Sequence, residues 1–407
     1  MRHLSTLHFF TVAFAAVALG CGGHGSGPDV TETDSAGVKI VVSSGPSWAE
    51  GQQWNLSSQP RLVISPQPDD PEATLYEVVG LLVLPDGRVV VANRGDDCLL
   101  LYSAGGERQW KVGRGGDGPS EFRDLRGLAL VGEEIWAYQR LPFPIKVFGL
   151  DGHFVRSMET LPLESASYVR GVLADGSLIV RGRPHGTPSG KVWTEFTSLL
   201  RFRNGIVDTI ATLPHTKRVD LGRMGQEWQA LGPALHVAVG QGRVFAGFSA
   251  EWDIGIWNQD GRLTRRLRRA WEPTPLKSED QAAYREGLKA LGRAEPGLEQ
   301  AYGALANAMV FPEHHAAHAR LVVDESGVLW VQRPQTQPPW SEGLDYTPVP
   351  PDARSWDLFH RDGAWLGTVS LPARFRVMHI GLSHVAGVWK DEWDVEHVQV
   401  WDLHKPN

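Results

Sequence analysis

The chain is 407 residues long, 42% hydrophobic and 21% charged, with a formal net charge of −7 and a pI near 6.1. That length fits one large domain or two ordinary ones, and the acidic balance argues against nucleic acid as a default partner. Glycine (45) and proline (27) demand many turns without reaching low-complexity levels, and 16 tryptophans need a sizeable packed body, so disordered and fibrous classes are excluded and an all-β body of short strands is expected.

Residues 1–20 read as a processing signal: Arg2 and His3 open it, Leu4 to Leu19 is an apolar run, and Ala18-Leu19-Gly20-Cys21 ends it. The end of this segment resembles the lipobox of bacterial lipoproteins, although Ala18 stands where leucine is usual. The resemblance implies a chain cut before Cys21 and diacylated there, whereas a plain secretory signal cut nearby is the alternative. The apolar run is short for a membrane span, which needs about 20 residues. Gly22 to Ser35 lacks apolar periodicity, so residues 21–35 read as a flexible tether. A lipid-anchored protein of the cell envelope is expected, at the periplasmic face of the outer membrane or at the cell surface. With Cys21 lipidated, Cys98 has no disulfide partner, and its apolar surroundings from Cys98 to Tyr102 mark it as a buried small hydrophobe.

The body, residues 36–407, repeats. Val83 to Val91 is strand, turn at Asp86-Gly87, strand; Val172 to Val180 repeats it, and weaker copies run through Leu128 to Ala137, Val237 to Ala246, Leu321 to Val331 and Ile380 to Trp389. Second hairpins turn at Gly105-Gly106, Asp151-Gly152, Asn204-Gly205, Asp260-Gly261 and Asp362-Gly363, residues that tolerate positive φ. Linked hairpins without helices between them predict a β-propeller, and the turn count favours six blades. The strands Val38 to Ser43 and Arg61 to Ile64 are free to supply the last blade's missing fourth strand.

The stretch from Val112 to Phe122, followed by Arg126-Gly127-Leu128-Ala129 and by Ile145 to Gly152, resembles an NHL-type repeat over about residues 76–160. The whole layout is similar to bacterial six-bladed propeller proteins. That resemblance implies a fold and no chemistry.

One segment, about 273–312, breaks the pattern. Ser278 to Gln281 matches a capping box, Tyr284, Leu288 and Leu291 fall at helical spacing, and Gly292 suits a helix C-terminus; Leu298, Tyr302, Leu305 and Met309 mark a second helix. A helical hairpin inserted between the fourth and fifth blades is expected, lying on one face of the propeller.

Gly113-x-Gly115-x-x-Gly118 matches the dinucleotide fingerprint in letters only, because Pro119 follows and no helix does; inter-blade crossing geometry explains these glycines. His314, His315 and His318 form the sole histidine cluster and lack a defined third ligand partner, so no metal and no cofactor is expected. The run Arg262, Arg265, Arg266, Arg268 and Arg269 suits an outermost strand that discourages edge pairing, or else contact with anionic lipid. Trp252, Trp340 and Trp393 sit in polar, turn-like contexts where they either pack or stack on sugars or peptide side chains.

Laying the six second strands over one another places Arg94, Arg140, Arg183, Arg333 and Lys390 at one position, with Glu251 near it in the fourth blade. Such residues either pair with local carboxylates such as Asp96, Asp97, Asp391 or Glu392, or form a positive ring at a channel mouth that holds an anionic ligand. The expected function is therefore a binding or scaffold module for an anionic ligand, peptide, glycan or envelope partner. The alternative is a propeller hydrolase or lyase, NHL-like or lactonase-like, working in the central channel, although no nucleophile motif identifies one.

Overall fold

The computed structural model describes residues 30–67, 74–159, 166–334 and 355–406. The expected signal peptide, Cys21 and Trp340 lie outside these residues. Of the stretch expected to be tether, Val30–Ser35 forms strand β1.

Strands β1, β2 (Val38–Ser43), β3 (Asn55–Leu56) and β4 (Leu62–Ile64) precede the first regular sheet. That sheet comprises β5 (Val78–Val83), β6 (Val89–Asn93), β7 (Cys98–Tyr102) and β8 (Arg108–Val112). The second holds β9 (Leu125–Val131), β10 (Glu134–Gln139), β11 (Ile145–Gly149) and β12 (Phe154–Met158). The third holds β13 (Ala166–Val172), β14 (Leu178–Gly182), β15 (Val192–Arg203), β16 (Ile206–Asp220) and β17 (Gln226–Trp228). The fourth contains β18 (Leu235–Gly240), β19 (Arg243–Phe248), β20 (Asp253–Asn258) and β21 (Leu263–Arg269). Helices α1 (Ser278–Ala294) and α2 (Glu299–Ala308) follow it. The fifth sheet has β22 (Leu321–Val323), β23 (Leu329–Gln332), β24 (Ser355–Phe359) and β25 (Trp365–Ser370), and the sixth has β26 (Phe375–Ile380), β27 (His384–Lys390) and β28 (Glu396–His404).

Each sheet is an antiparallel meander because its turns carry residues that reach positive φ at no steric cost, such as Gly87 (+86°) and Gly176 (+78°). An isolated four-stranded sheet would leave both faces wet, so the sheets stack face to face. One apolar cluster joins the first and second sheets through Leu99, Leu101, Leu128 and Phe148. Others join the second and third, third and fourth, fourth and fifth, and fifth and sixth sheets. The cluster of Val89, Leu100, Val388 and Val400 packs the sixth sheet against the first and closes the circle. The first strands β5, β9, β13, β18, β22 and β26 follow one another on the inside: Glu325 N–H donates to Ile380 O (3.1 Å) and Arg376 Nη2 to Val78 O (2.6 Å). This is a propeller-type arrangement of small sheets about an axis.

The amino-terminal strands divide between two sheets. β4 pairs antiparallel with β28, Val398 opposite Ile64, and β3 pairs with the end of the same strand. β2 instead runs parallel to β21, with Val41 opposite Leu267, and β1 folds back on β2. Of the two strands expected to complete the last sheet, therefore, only the one around 62–64 does so. The same pairing corrects the reading of the arginine run: β21 is covered by β2 and is not outermost. Its cations point to acceptors within the fold, Arg266 and Arg268 to Asp253 (2.8 and 2.9 Å) and Arg265 to Arg361 O (2.7 Å).

The helical hairpin stands where the sequence places it, with two local differences. The Asp280 carboxylate accepts from Lys277 N–H (3.1 Å), so the capping position is Lys277 and not Ser278. Gly292 lies inside α1, where any Cβ would come within 2.6 Å of Tyr302 Cβ; it serves helix-to-helix approach. Leu288, Ala306 and Met309 bury themselves against Leu221 and Ala230 of the third sheet's outer arm. Cys98 is fully buried, and burial pushes its thiol up to about 11.

Candidate functional site

The inner strands carry a group of cations: Arg126 on β9, Arg170 on β13, Arg320 just before β22 and Arg376 on β26. Arg181, on β14, joins them. Three guanidinium carbons face one phenol ring, that of Tyr168, at 5.9 Å for Arg126, 6.0 Å for Arg170 and 5.0 Å for Arg181. The aromatic face stabilises these cations, and Arg126 Nη2 also donates to Asp124 Oδ2 (2.6 Å). Gly127 makes room for a second phenol: a Cβ there would sit 2.5 Å from Tyr138 Oη. Burial pushes the Tyr138 hydroxyl up to about 12, so it stays protonated and able to donate.

Histidines complete the cluster. Burial, then the charges of Arg181 and Arg170, holds His215 down to about 3. Burial likewise holds His236 well below its ordinary value, with His318, Arg170 and Arg320 contributing, and lowers His318 to about 4. His236 and His318 meet edge to face at 5.5 Å. All three are neutral at pH 7 and offer one donor and one acceptor each. Among the described residues, His215 Nδ1 and His318 Nε2 are buried and meet no hydrogen-bond partner.

His215 arrives from an unexpected element. β15 and β16 run well past the end of β14, and the overhang is tied by a bridge from Thr216 to Ala234, just before the inner strand of the next sheet, and by Gln229 N–H, just after β17, donating to Lys217 O (2.9 Å). The helical hairpin packs on the far end of this arm.

Of the six positions singled out in the sequence, Arg94, Arg140 and Lys390 share one register in their sheets, a register held in the fourth sheet by Ser249, two residues before Glu251. Arg94 N–H donates to Glu77 O (3.2 Å), Arg140 to Asp124 O (3.0 Å), Ser249 to Ala234 O (3.0 Å) and Lys390 to Arg374 O (3.1 Å). The fifth sheet makes this bond one residue earlier, from Gln332 to Arg320 O (2.9 Å). In the third, Gly182 lies opposite Ala166. Their side chains diverge in environment. Arg94 pairs with Glu77 at 2.7 Å with both largely buried, and that guanidinium holds the Glu77 carboxyl below its usual range. Arg333 grips the buried Asp357 (2.9 Å), Lys390 lies 3.8 Å from the buried Glu396, and Arg140 lies 3.4 Å from Asp124. Arg183 and Glu251 are exposed. The carboxylates that engage these cations are Glu77, Asp124, Asp357 and Glu396, none of them among the four the sequence suggested.

The remaining candidates resolve individually. Gly113 to Gly118 forms the crossing from β8 to β9, where Gly118 N–H donates to Glu121 Oε2 (2.8 Å) and a Cβ on Gly113 (φ +91°) would strike Phe122. His315 pairs with Asp280 (3.2 Å), away from His318. Among the described residues no group of three or more His, Cys, Asp or Glu side chains converges to hold a metal. Trp252 is buried against Phe359 at 4.8 Å, which assigns it to packing. Trp393 is exposed.

No family model matches the chain, and no curated protein does. Among solved structures, it is similar to a member of the DUF4221 family from Bacteroides vulgatus, with a TM-score of 0.53 at 10% identity over 88% of this chain and 100% of that one. A protein from Bacteroides fragilis described as exported gives 0.47 at 13% identity over 90% and 100%. Virginiamycin B lyase from Staphylococcus aureus gives 0.42 at 8% identity over 86% and 99%. The first of these likenesses bears on the fold alone.

Proposed function

We propose that the chain is an exported, lipid-anchored six-bladed β-propeller of NHL-like design that binds an anionic ligand where the cations of its inner strands gather. The observation that carries this reading is the convergence of Arg126, Arg170 and Arg181 on Tyr168. Guanidinium forks match carboxylate and phosphate groups in two-point contact. The reading moves the binding role inward from Arg94 and Arg333, each held by one carboxylate, to a cluster of three guanidiniums of which Arg126 is paired with Asp124 (2.6 Å). Arg140 and Arg183 remain as an outer set that raises the local anion concentration. Anchoring through Cys21 would hold this face within the cell envelope.

The test is calorimetric titration of the full chain with a short oligogalacturonate and a short oligoglutamate at low salt and at 0.5 M salt. Saturable binding that weakens with salt, and that falls about tenfold or more in Arg126→Ala, supports the reading. Absence of binding to either polyanion, or binding indifferent to Arg126→Ala, overturns it.

A further inference from the structure

The turn between β27 and β28 spends an unusual amount of hydrogen bonding on holding one tryptophan in water. Asp391 Oδ1 accepts from Trp393 N–H (2.9 Å) and Val395 N–H (3.0 Å), and His397 Nε2 meets its other oxygen (3.2 Å). Arg374 clamps the turn from beside it, donating from Nε to Lys390 O (2.9 Å) and from Nη2 to Asp394 Oδ1 (2.8 Å). Asp394 takes the left-handed conformation, φ +60°, to complete the bend. The outcome is an indole 79% exposed at the tip of a turn whose backbone is held by these bonds. Leaving so large an apolar ring in water forgoes the burial that normally stabilises tryptophan.

Beside it lies a cleft of about 350 Å³ between the sixth and first sheets, whose apolar walls include Leu75, Tyr76, Trp393 and Val395. Tyr76 is 55% exposed, and its position also depends on a backbone device: a Cβ on Gly95 would fall 2.4 Å from Tyr76 Cδ1. Two exposed aromatic side chains therefore line one cleft, on backbone segments that hydrogen bonds and a glycine position. The charged groups at the edge are each engaged within the fold, Glu77 by Arg94, Lys390 near Glu396 and Asp394 by Arg374. Such groups keep spare lone pairs and N–H bonds for hydroxyls but offer no net charge to select an ion.

We propose that this cleft binds a neutral pyranose ring of a glycan, its C–H face laid on the Trp393 indole and its hydroxyls directed to the rim of Lys390 and Asp394. An exposed aromatic plane with polar groups at its margin fits a sugar, which is apolar on its faces and polar at its edge. An aliphatic peptide side chain would instead call for a closed apolar pocket. The proposal is independent of the anion site in the inner strands.

Titration of the full chain with the β-1,4-linked tetrasaccharides of glucose and of N-acetylglucosamine tests it, read by calorimetry. At least one should bind saturably; Trp393→Ala should weaken it tenfold or more, Trp393→Phe less, and Tyr76→Ala several-fold, with melting temperatures unchanged in Trp393→Ala. Arg126→Ala should bind as the wild type does, which separates this site from the anion site. No saturable binding of either tetrasaccharide overturns the proposal, as does equal affinity in Trp393→Ala. Preferential capture of a Leu-Pro-Phe tripeptide over both sugars also overturns it, by assigning the cleft to peptide.

Discussion

Asp357 shows what a single residue contributes here. It is 1% exposed, yet it accepts from Arg333 Nη2 (2.9 Å), from Thr368 Oγ1 (2.8 Å) and from Arg269, whose guanidinium also lies 4.3 Å over the Trp365 ring. Removing the carboxylate leaves the largely buried Arg269 without its counter-charge, so Asp357→Ala should destabilise the protein by about 3–5 kcal/mol in urea unfolding. Arg333→Ala should also lower the unfolding midpoint, which a freely solvated surface cation would not do; an unchanged midpoint would return Arg333 to the outer binding set. The partnership was invisible in the sequence because Asp357 reaches Arg333 through the pairing of β23 with β24 and Arg269 through packing of the fourth sheet on the fifth, not through local spacing. The inner cations had a fainter trace, in Leu125-Arg126-Gly127 and Val169-Arg170-Gly171. Bulges between Tyr138 and Gln139 and between Ala166 and Tyr168 shift the register there, so the repeat loses its phase where the site is built.

At the scale of elements, the hairpins were legible because their turns need residues such as Gly106 (φ +88°) and Gly152 (φ +84°), which mark themselves locally. The placement of β2 was not, since a parallel partner distant in sequence leaves no local trace. This strand has an asymmetric role. All of β1 is exposed, whereas Val41 in β2 is 2% exposed and packs in the cluster between the fourth and fifth sheets. A chain beginning at residue 36 should therefore unfold like the full body, while one beginning at residue 45 should lose stability and expose β21 as an edge, giving aggregation detectable by light scattering. Equal behaviour of the two truncations would contradict the packing role of β2. The helical hairpin buries only Leu288, Ala306 and Met309 in its own small cluster with Ala230. Replacing residues 277–309 by a short linker should keep the strand signal in circular dichroism and a single cooperative transition. Loss of cooperativity would place the hairpin in the core.

The whole molecule combines a closed circle of sheets with charges held neutral inside it, and this fixes how it responds to acid. His215, His318 and His384 belong to the third, fifth and sixth sheets and their margins, and burial is the first cause that lowers each, to about 3, about 4 and about 4. In the unfolded chain these side chains titrate near 6.5. The unfolded state therefore binds more protons than the folded state from about pH 6.5 down to about 4, and stability must fall with pH across that window. Carboxylates held low by partners, such as Glu77 by Arg94 and Glu134 by Arg156, act in the same direction but only below about pH 4.5, where the unfolded groups protonate. The interval from pH 6.5 to 5 thus isolates the histidines. Urea midpoints should decline steadily through it, and His318→Gln, which removes one of four such rings once the likewise buried His236 is counted, should flatten the decline by about a quarter of its slope. A midpoint constant between pH 7 and pH 5 would mean that these rings are hydrated in the folded protein.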